Sequence, residues 1–311
     1  MKLSFSTLSF SALIAAALAA ALHISAAFAQ PVEVQEADLD KWIAKNNAYV
    51  KLLNETLRAS DSWNRYLSWV NVERGPTGKE RIIYGLYSVS ASSAREAIAG
   101  ARKAADSEPA SPALDAAANE LAAAFETVFP IMNEAHDYYD RKDYMSDNAA
   151  GAKRLHGQLV PAGRAFIAAR AKMDKLQEEV KDRLDTLELA RIEKKDGKQY
   201  RWHMKRTMIL ARKAVDLMPQ NPRQPGDMKE FDTAIAKLAD AAREFDTYVR
   251  DSGKSNSFDS YPREIVGRLR ELKDKVAKGR ADPTFYSMDY NGVVSSYNMM
   301  IQMARMPMFG R

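Results

Sequence analysis

Leu114, Ala118, Leu121, Phe125, Val128, Met132, Ala135 and Tyr139 recur at alternating spacings of four and three, which places them on one stripe of an α-helix. Pro130 lies inside this run and removes one backbone hydrogen bond, so a bend is predicted there rather than an end. Ser111 and Pro112 stand where a cap and a first turn belong. Upstream, Leu39, Ile43, Asn46, Val50, Leu53 and Leu57 form a second stripe. Trp63, Tyr66, Leu67 and Val70 extend it to the break at Gly75-Pro76-Thr77-Gly78. A shorter helix is predicted over about 82–105. Phe166, Ala169, Met173, Leu176, Val180, Leu184 and Leu187 make a third stripe in a segment that also carries Pro161. It stops at Asp196-Gly197, where glycine suits a left-handed cap and a tight helical hairpin.

Met204, Met208, Ala211, Val215 and Met218 mark the return helix, ended by Pro219, Pro222, Pro225 and Gly226. Three further stripes follow: Phe231, Ile235, Leu238, Ala242, Phe245 and Val249; Ile265, Leu269, Leu272 and Val276; and Tyr286, Tyr290, Val293, Tyr297 and Met300 behind Asp282-Pro283. No strand pattern stands out. Each stripe needs a facing stripe to leave water, and short links make successive helices neighbours. The expectation is an all-α protein, an elongated antiparallel bundle of about seven to nine helices, with residues 30–311 as a single domain.

The first 29 residues differ. They carry one charge, Lys2, then an apolar run through Leu13, Ile14, Leu18 and Leu22, and close on Ala27-Phe28-Ala29. Small residues at this spacing suit a signal peptidase, so a signal peptide cleaved after Ala29 is expected, with retention as a membrane anchor the competing reading. The chain has no cysteine, which excludes disulfides, thiol nucleophiles and a lipid-modified N-terminal cysteine. A periplasmic or secreted location follows, and not a lipoprotein. With 46 Lys and Arg against 41 Asp and Glu, the net charge of +5 says little about partners. No G-x-S-x-G, G-x-G-x-x-G or P-loop occurs, which argues against nucleophilic catalysis and a nucleotide cofactor. Export makes nucleic acid an unsuitable partner.

Two patches go beyond generic bundle sequence. One is Asn47, Tyr49, Val50 and Asn54; the other runs from Ala135 through His136, Asp137, Tyr138, Tyr139, Asp140, Asp143 and Tyr144 to Asp147, Lys153, Arg154, Leu155 and His156. Together they resemble the YiiG-like domain-of-unknown-function family of bacterial envelope proteins. The resemblance implies an exported helical domain over nearly the whole mature chain and supplies no catalytic residues.

The densest polar constellation is Glu134, His136, Asp137, Asp140, Asp143 and Asp147, with His156 beyond. His136, Asp140, Asp143 and His156 are candidate metal ligands, since helical spacing can bring an imidazole and carboxylates to adjoining faces. The same acids also read as a solvated helix end, with Asp147 or Ser146 capping the next helix. Tyr138, Tyr139 and Tyr144 are candidate walls of a groove for a sugar or peptide, or else core residues, as are Trp42, Tyr49, Trp63, Tyr66 and Trp69. Lys194, Lys195, Lys198, Arg201, Lys205 and Arg206 form a basic segment that can face anionic membrane or cell-wall surfaces, with Tyr200 and Trp202 as anchors, or simply solvate a hairpin tip. Met299, Met300, Met303, Met306 and Met308 offer a faint copper(I) reading against ordinary packing. Asn47 and Asn54, with Asn291 and Asn298, are spaced to pair across a buried seam between the first and last helices.

The leading expectation is a noncatalytic envelope module that binds an unidentified partner protein or small ligand, with no cofactor. The alternatives are a metal-binding or metal-dependent protein, and a binder of anionic envelope surfaces.

Overall fold

Every regular element among the residues described by the computed structural model, 34–219, 221–279 and 282–306, is helical. The signal segment expected over 1–29 lies outside them. After a single turn at Glu36–Asp38 come α1 (Leu39–Glu55), α2 (Leu57–Leu67), α3 (Ala91–Ala105) and α4 (Pro112–Asp140). A turn at Asp143–Met145 leads into α5 (Ala150–Asp196), then α6 (Tyr200–Asp216), α7 (Met228–Ser252), α8 (Tyr261–Ala277) and α9 (Pro283–Ala304). No helix among them is long and apolar enough to cross a membrane.

The chain divides into two compact units, Met1–Lys181 and Asp182–Arg311, with the boundary inside α5. In the first unit, α1 packs on α3 and α3 on α4. The α4 stripe is buried throughout, and Phe125 stacks on Phe166 of α5 at 5.8 Å between ring centres. Pro130 and Pro161 both lie inside continuous helices. The α1 seam is rotated from its predicted position: Leu39, Trp42, Asn46, Tyr49 and Leu53 are buried, while Leu57 is half exposed. α1 and α2 are separated at Thr56, whose hydroxyl donates to the Leu53 carbonyl and accepts from Arg170 Nε.

Ser111 does not cap α4 with its side chain. Instead Asp115 Oδ2 accepts from the Ser111 N–H at 2.8 Å and from Lys45 Nζ at 2.9 Å, while Oδ1 accepts from the Tyr49 hydroxyl at 2.5 Å. Lys45 Nζ also donates to the carbonyls of Ser107 and Pro109. A buried charge is tolerated when its hydrogen-bonding capacity is filled in this way. Burial first, and then Asp115, pushes the Tyr49 phenol far above its ordinary value, so it stays a donor.

The second unit builds α6, α7, α8 and α9 around one core that includes Phe231, Leu238, Phe245, Phe258, Leu269 and Met300. The α5 to α6 turn has Gly197 at φ 70°, with its N–H donating to the Glu193 carbonyl, the left-handed cap expected of it. Asp227 caps α7 by accepting from the N–H groups of Lys229 and Glu230.

Asn47, Asn54, Asn291 and Asn298, expected in a buried amide seam, are all exposed. The buried amide pair is one residue away, where Gln177 Nε2 donates to Asn46 Oδ1 at 3.0 Å.

Candidate functional site

The helix predicted to begin near residue 82 begins at Ala91, capped by Ser90. Residues 71–90 contain neither helix nor strand and form a strap across the first unit. A backbone without its own ladder must find other partners, and side chains supply them. Asn133 Oδ1 accepts from the Val89 N–H at 2.7 Å and its Nδ2 donates to the Val89 carbonyl at 2.9 Å, as a paired strand would. Ser62 Oγ likewise serves both the N–H and the carbonyl of Tyr87. Trp69 Nε1 donates to the Gly85 carbonyl. Gly85 sits at φ 65°, and a Cβ there would lie 3.1 Å from that of Tyr139, so both backbone shape and space call for glycine.

Both histidines of the polar constellation hold this strap. His136 Nδ1 donates to the Leu86 carbonyl at 2.9 Å. His156 Nε2 lies 3.0 Å from the Val72 carbonyl and Nδ1 lies 2.7 Å from the Tyr66 hydroxyl. A carbonyl only accepts, so Nε2 carries a proton, and in the neutral ring Nδ1 accepts from Tyr66. Asp143 pairs with Arg141 at 2.8 Å, and Asp140 is exposed. The four candidate metal ligands therefore do not converge, and among the described residues no three His, Asp or Glu groups are placed to hold a metal ion.

The three tyrosines of the same region pack rather than open. Tyr138 and Tyr139 are buried, Tyr144 is partly so, and Tyr139 meets Trp69 edge to face at 5.0 Å. Tyr138 donates to Asp147 Oδ1, and burial followed by that bond pushes its phenol up to about 12. Asp147 Oδ2 accepts from the Gly151 N–H at 2.8 Å, making it the cap of α5; this bond, opposed by burial and aided by Tyr138, holds the carboxyl below the usual carboxylate range. Tyr139 OH and Glu80 Oε2 are buried without a hydrogen-bond partner. Burial opposes charge on Glu80, yet the Thr77 N–H and hydroxyl outweigh it and hold the carboxyl below its ordinary value.

The outer side of the strap is different. α2 buries Ala59, Ser62, Trp63 and Tyr66, which turns Arg58, Asp61, Asn64, Arg65 and Ser68 outward. With Tyr84 and Tyr87 of the strap they line a cleft of ≈ 470 Å³. The Arg58 guanidinium lies over the Tyr87 ring at 3.9 Å, and that of Arg65 lies 4.4 Å from the same ring and 5.5 Å from Tyr84. Arg65 Nε and Nη2 both donate to the Tyr84 carbonyl, and Arg58 Nε to that of Ser88. Tyr84 is 48% exposed. Among the described residues neither arginine is in an ion pair, although Asp61 lies three and four residues from them. Helical spacing alone would have paired Asp61 with Arg65 as a solvated couple.

The basic segment of the second unit is largely neutralised. Lys205 binds Asp185 at 2.9 Å and Glu188 at 2.7 Å, Arg206 pairs with Glu244, and Lys198 with Glu193. Lys194, Lys195 and Arg201 are exposed. Tyr200 and Trp202 are buried and do not present anchors at the surface. Met300 is in the core, while Met299 and Met306 are exposed; Met308 lies outside the described residues. A smaller cleft of ≈ 360 Å³ has Leu189, Ile209 and Leu210 among its walls, but its Arg206, Glu244 and Asp240 already have protein partners.

His203 is buried among Trp202, Phe245 and Tyr248, with Nδ1 unpartnered. Burial lowers its pKa, Glu244 opposes, Arg206 reinforces the lowering, and a hydrogen bond to the Lys198 backbone opposes it. The folded state thus binds the proton less readily than the unfolded chain. Its stability contribution is complete above the ordinary value of 6.5 and is lost as the pH falls from there toward the lowered folded value. Urea midpoints measured between pH 7.5 and 5 are expected to fall, and to fall less in His203→Phe. Equal slopes in both proteins would remove His203 as the cause.

Comparison with known proteins was decided by a family model. The one described as "Protein of unknown function (DUF3829)" matches residues 40–302. The chain belongs to the DUF3829 family. The match runs through both units and includes the strap, its pins and the arginine cleft. "Uncharacterized protein YiiG" of Escherichia coli (strain K12) is 28% identical over 250 residues, covering 80% of this chain and 70% of that protein. No solved structure matches.

Proposed function

We propose that this DUF3829 protein is a noncatalytic module of the bacterial envelope that binds a ligand in the cleft between α2 and the strap. One observation carries the reading. Arg58 and Arg65 are stacked on tyrosine rings in a cleft and, among the described residues, are in no ion pair. Binding sites set a few fixed polar groups beside aromatic walls, and this open cleft has both. His136 and His156, the residues of this region best suited to catalysis, are bonded to strap carbonyls. The small-residue pattern ending at Ala29 supports export.

Native mass spectrometry of protein recovered from the periplasmic fraction tests the proposal. The expected result is a chain starting at Gln30 that retains a small envelope ligand, with retention lost in Arg58→Ala/Arg65→Ala. Turnover of wall fragments or esters, or identical spectra for both proteins, would count against it.

A further inference from the structure

Resting on that reading, we infer that the cleft recognises a carboxylate-bearing saccharide, with the carboxylate held by Arg58 and Arg65 and the sugar ring set against Tyr84. The Arg65 guanidinium is held through Nε and Nη2 to the Tyr84 carbonyl, and Arg58 Nε makes one longer contact, 3.4 Å, to that of Ser88. Arg58 keeps both terminal nitrogens, and Arg65 keeps Nη1, without a protein acceptor among the described residues. Two positive groups share the Tyr87 ring, and among the described residues neither is in an ion pair, an arrangement that gains most when an oxyanion arrives. The Arg65 guanidinium, already held in place, loses little freedom on binding, and the planar fork of either arginine matches a carboxylate.

The remaining wall says what else the ligand carries. Asp61 is exposed in the same cleft and is not drawn onto either arginine. A bare inorganic anion filling the cleft meets its repulsion. A molecule with an anionic end and a hydroxyl-bearing body instead places the carboxylate at the guanidiniums and its hydroxyls at Asp61 and Asn64, which accept hydrogen bonds. The half-exposed ring of Tyr84 offers a flat apolar surface for the C–H face of a pyranose. A volume of ≈ 470 Å³ accommodates one or two sugar units rather than a folded polymer segment.

Isothermal titration of the intact mature protein tests this with four probes: the N-acetylglucosaminyl–N-acetylmuramic acid disaccharide, digalacturonic acid, neutral chitobiose and inorganic phosphate. At least one carboxylated disaccharide is expected to bind roughly tenfold or more tightly than chitobiose, the gain of one or two charge-assisted hydrogen bonds. Arg58→Gln is expected to abolish that difference. Because Arg58 makes a single long bond to the strap, 3.4 Å, this variant should keep its fold, which circular dichroism confirms. Equal binding of chitobiose and the acidic sugars overturns the carboxylate assignment while the cleft remains a ligand site. Phosphate matching the acidic sugars overturns the saccharide assignment. No binding by any probe overturns the inference, whereas the functional reading itself stands or falls on the retained ligand in the native spectrum.

Discussion

Asp115→Ala is expected to destabilise the protein by about 3–5 kcal/mol, the usual cost of removing one partner from a buried ion pair. The Lys45 side chain is 1% exposed and that of Asp115 is 13%. Deleting the carboxylate leaves an ammonium inside the first unit with two carbonyls and no counterion, strips the Tyr49 hydroxyl of its acceptor and removes the cap on the Ser111 N–H. Each loss is uncompensated because water does not reach the site readily. Urea unfolding followed by fluorine NMR of fluorotryptophan-labelled protein reads it out, since Trp42, Trp63 and Trp69 lie in this unit. A midpoint change equivalent to less than about 1 kcal/mol would place the pair in solvent, as for surface ion pairs. Lys45→Met added to Asp115→Ala should recover part of the loss, because it removes the orphaned charge.

In the second unit, Asp185→Ala is expected to cost about 3 kcal/mol by the same mechanism. Asp185 is 4% exposed and accepts from Lys205 at 2.9 Å and Arg212 at 3.2 Å. Burial disfavours charge on both bases, but their acids prevail and raise their pKa values: Asp185 and Glu188 for Lys205, Asp182, Asp185 and Asp216 for Arg212. Those remaining partners hold the expected cost toward the lower end. Trp202 reports on this unit, and its fluorine resonance should show the shifted midpoint. Because the network is largely buried, 0.5 M salt should leave most of the difference in place. A difference that vanishes in salt would contradict the buried assignment.

The helices were legible where one residue pattern decides them. The α4 stripe from Leu114 to Tyr139 is buried at every position named from its spacing, and Gly197 caps α5 as its place in the sequence implies. The resemblance drawn from Asn47, Tyr49 and the 135–156 patch agrees with the family match. The strap was not legible. Ile82, Ile83, Leu86 and Val89 suggest a helical start when Gly85 is read as a tolerated glycine, whereas it adopts a positive φ. Its partners Ser62, Asn133, His136 and His156 are scattered along the chain, and no local spacing announces a bond from His156 to Val72. For that reason the polar constellation read as possible chemistry, whereas its two histidines are bonded to the strap. The cleft stayed hidden for the complementary reason: Arg58, Asp61 and Arg65 look like a solvated helix face until Tyr84 and Tyr87 are laid against them. The Lys45 and Asp115 pair is likewise non-local.

The strap as a pinned wall is the claim on which the cleft depends, and hydrogen exchange resolved to single residues tests it most directly. The Tyr87 and Val89 amides, bonded to Ser62 Oγ and Asn133 Oδ1, should be protected as strongly as the buried helical amides of α2, and Asn133→Ala should release Val89 while leaving α4 protected. Exchange of both amides in the intact protein at the rate of an unstructured peptide would contradict it.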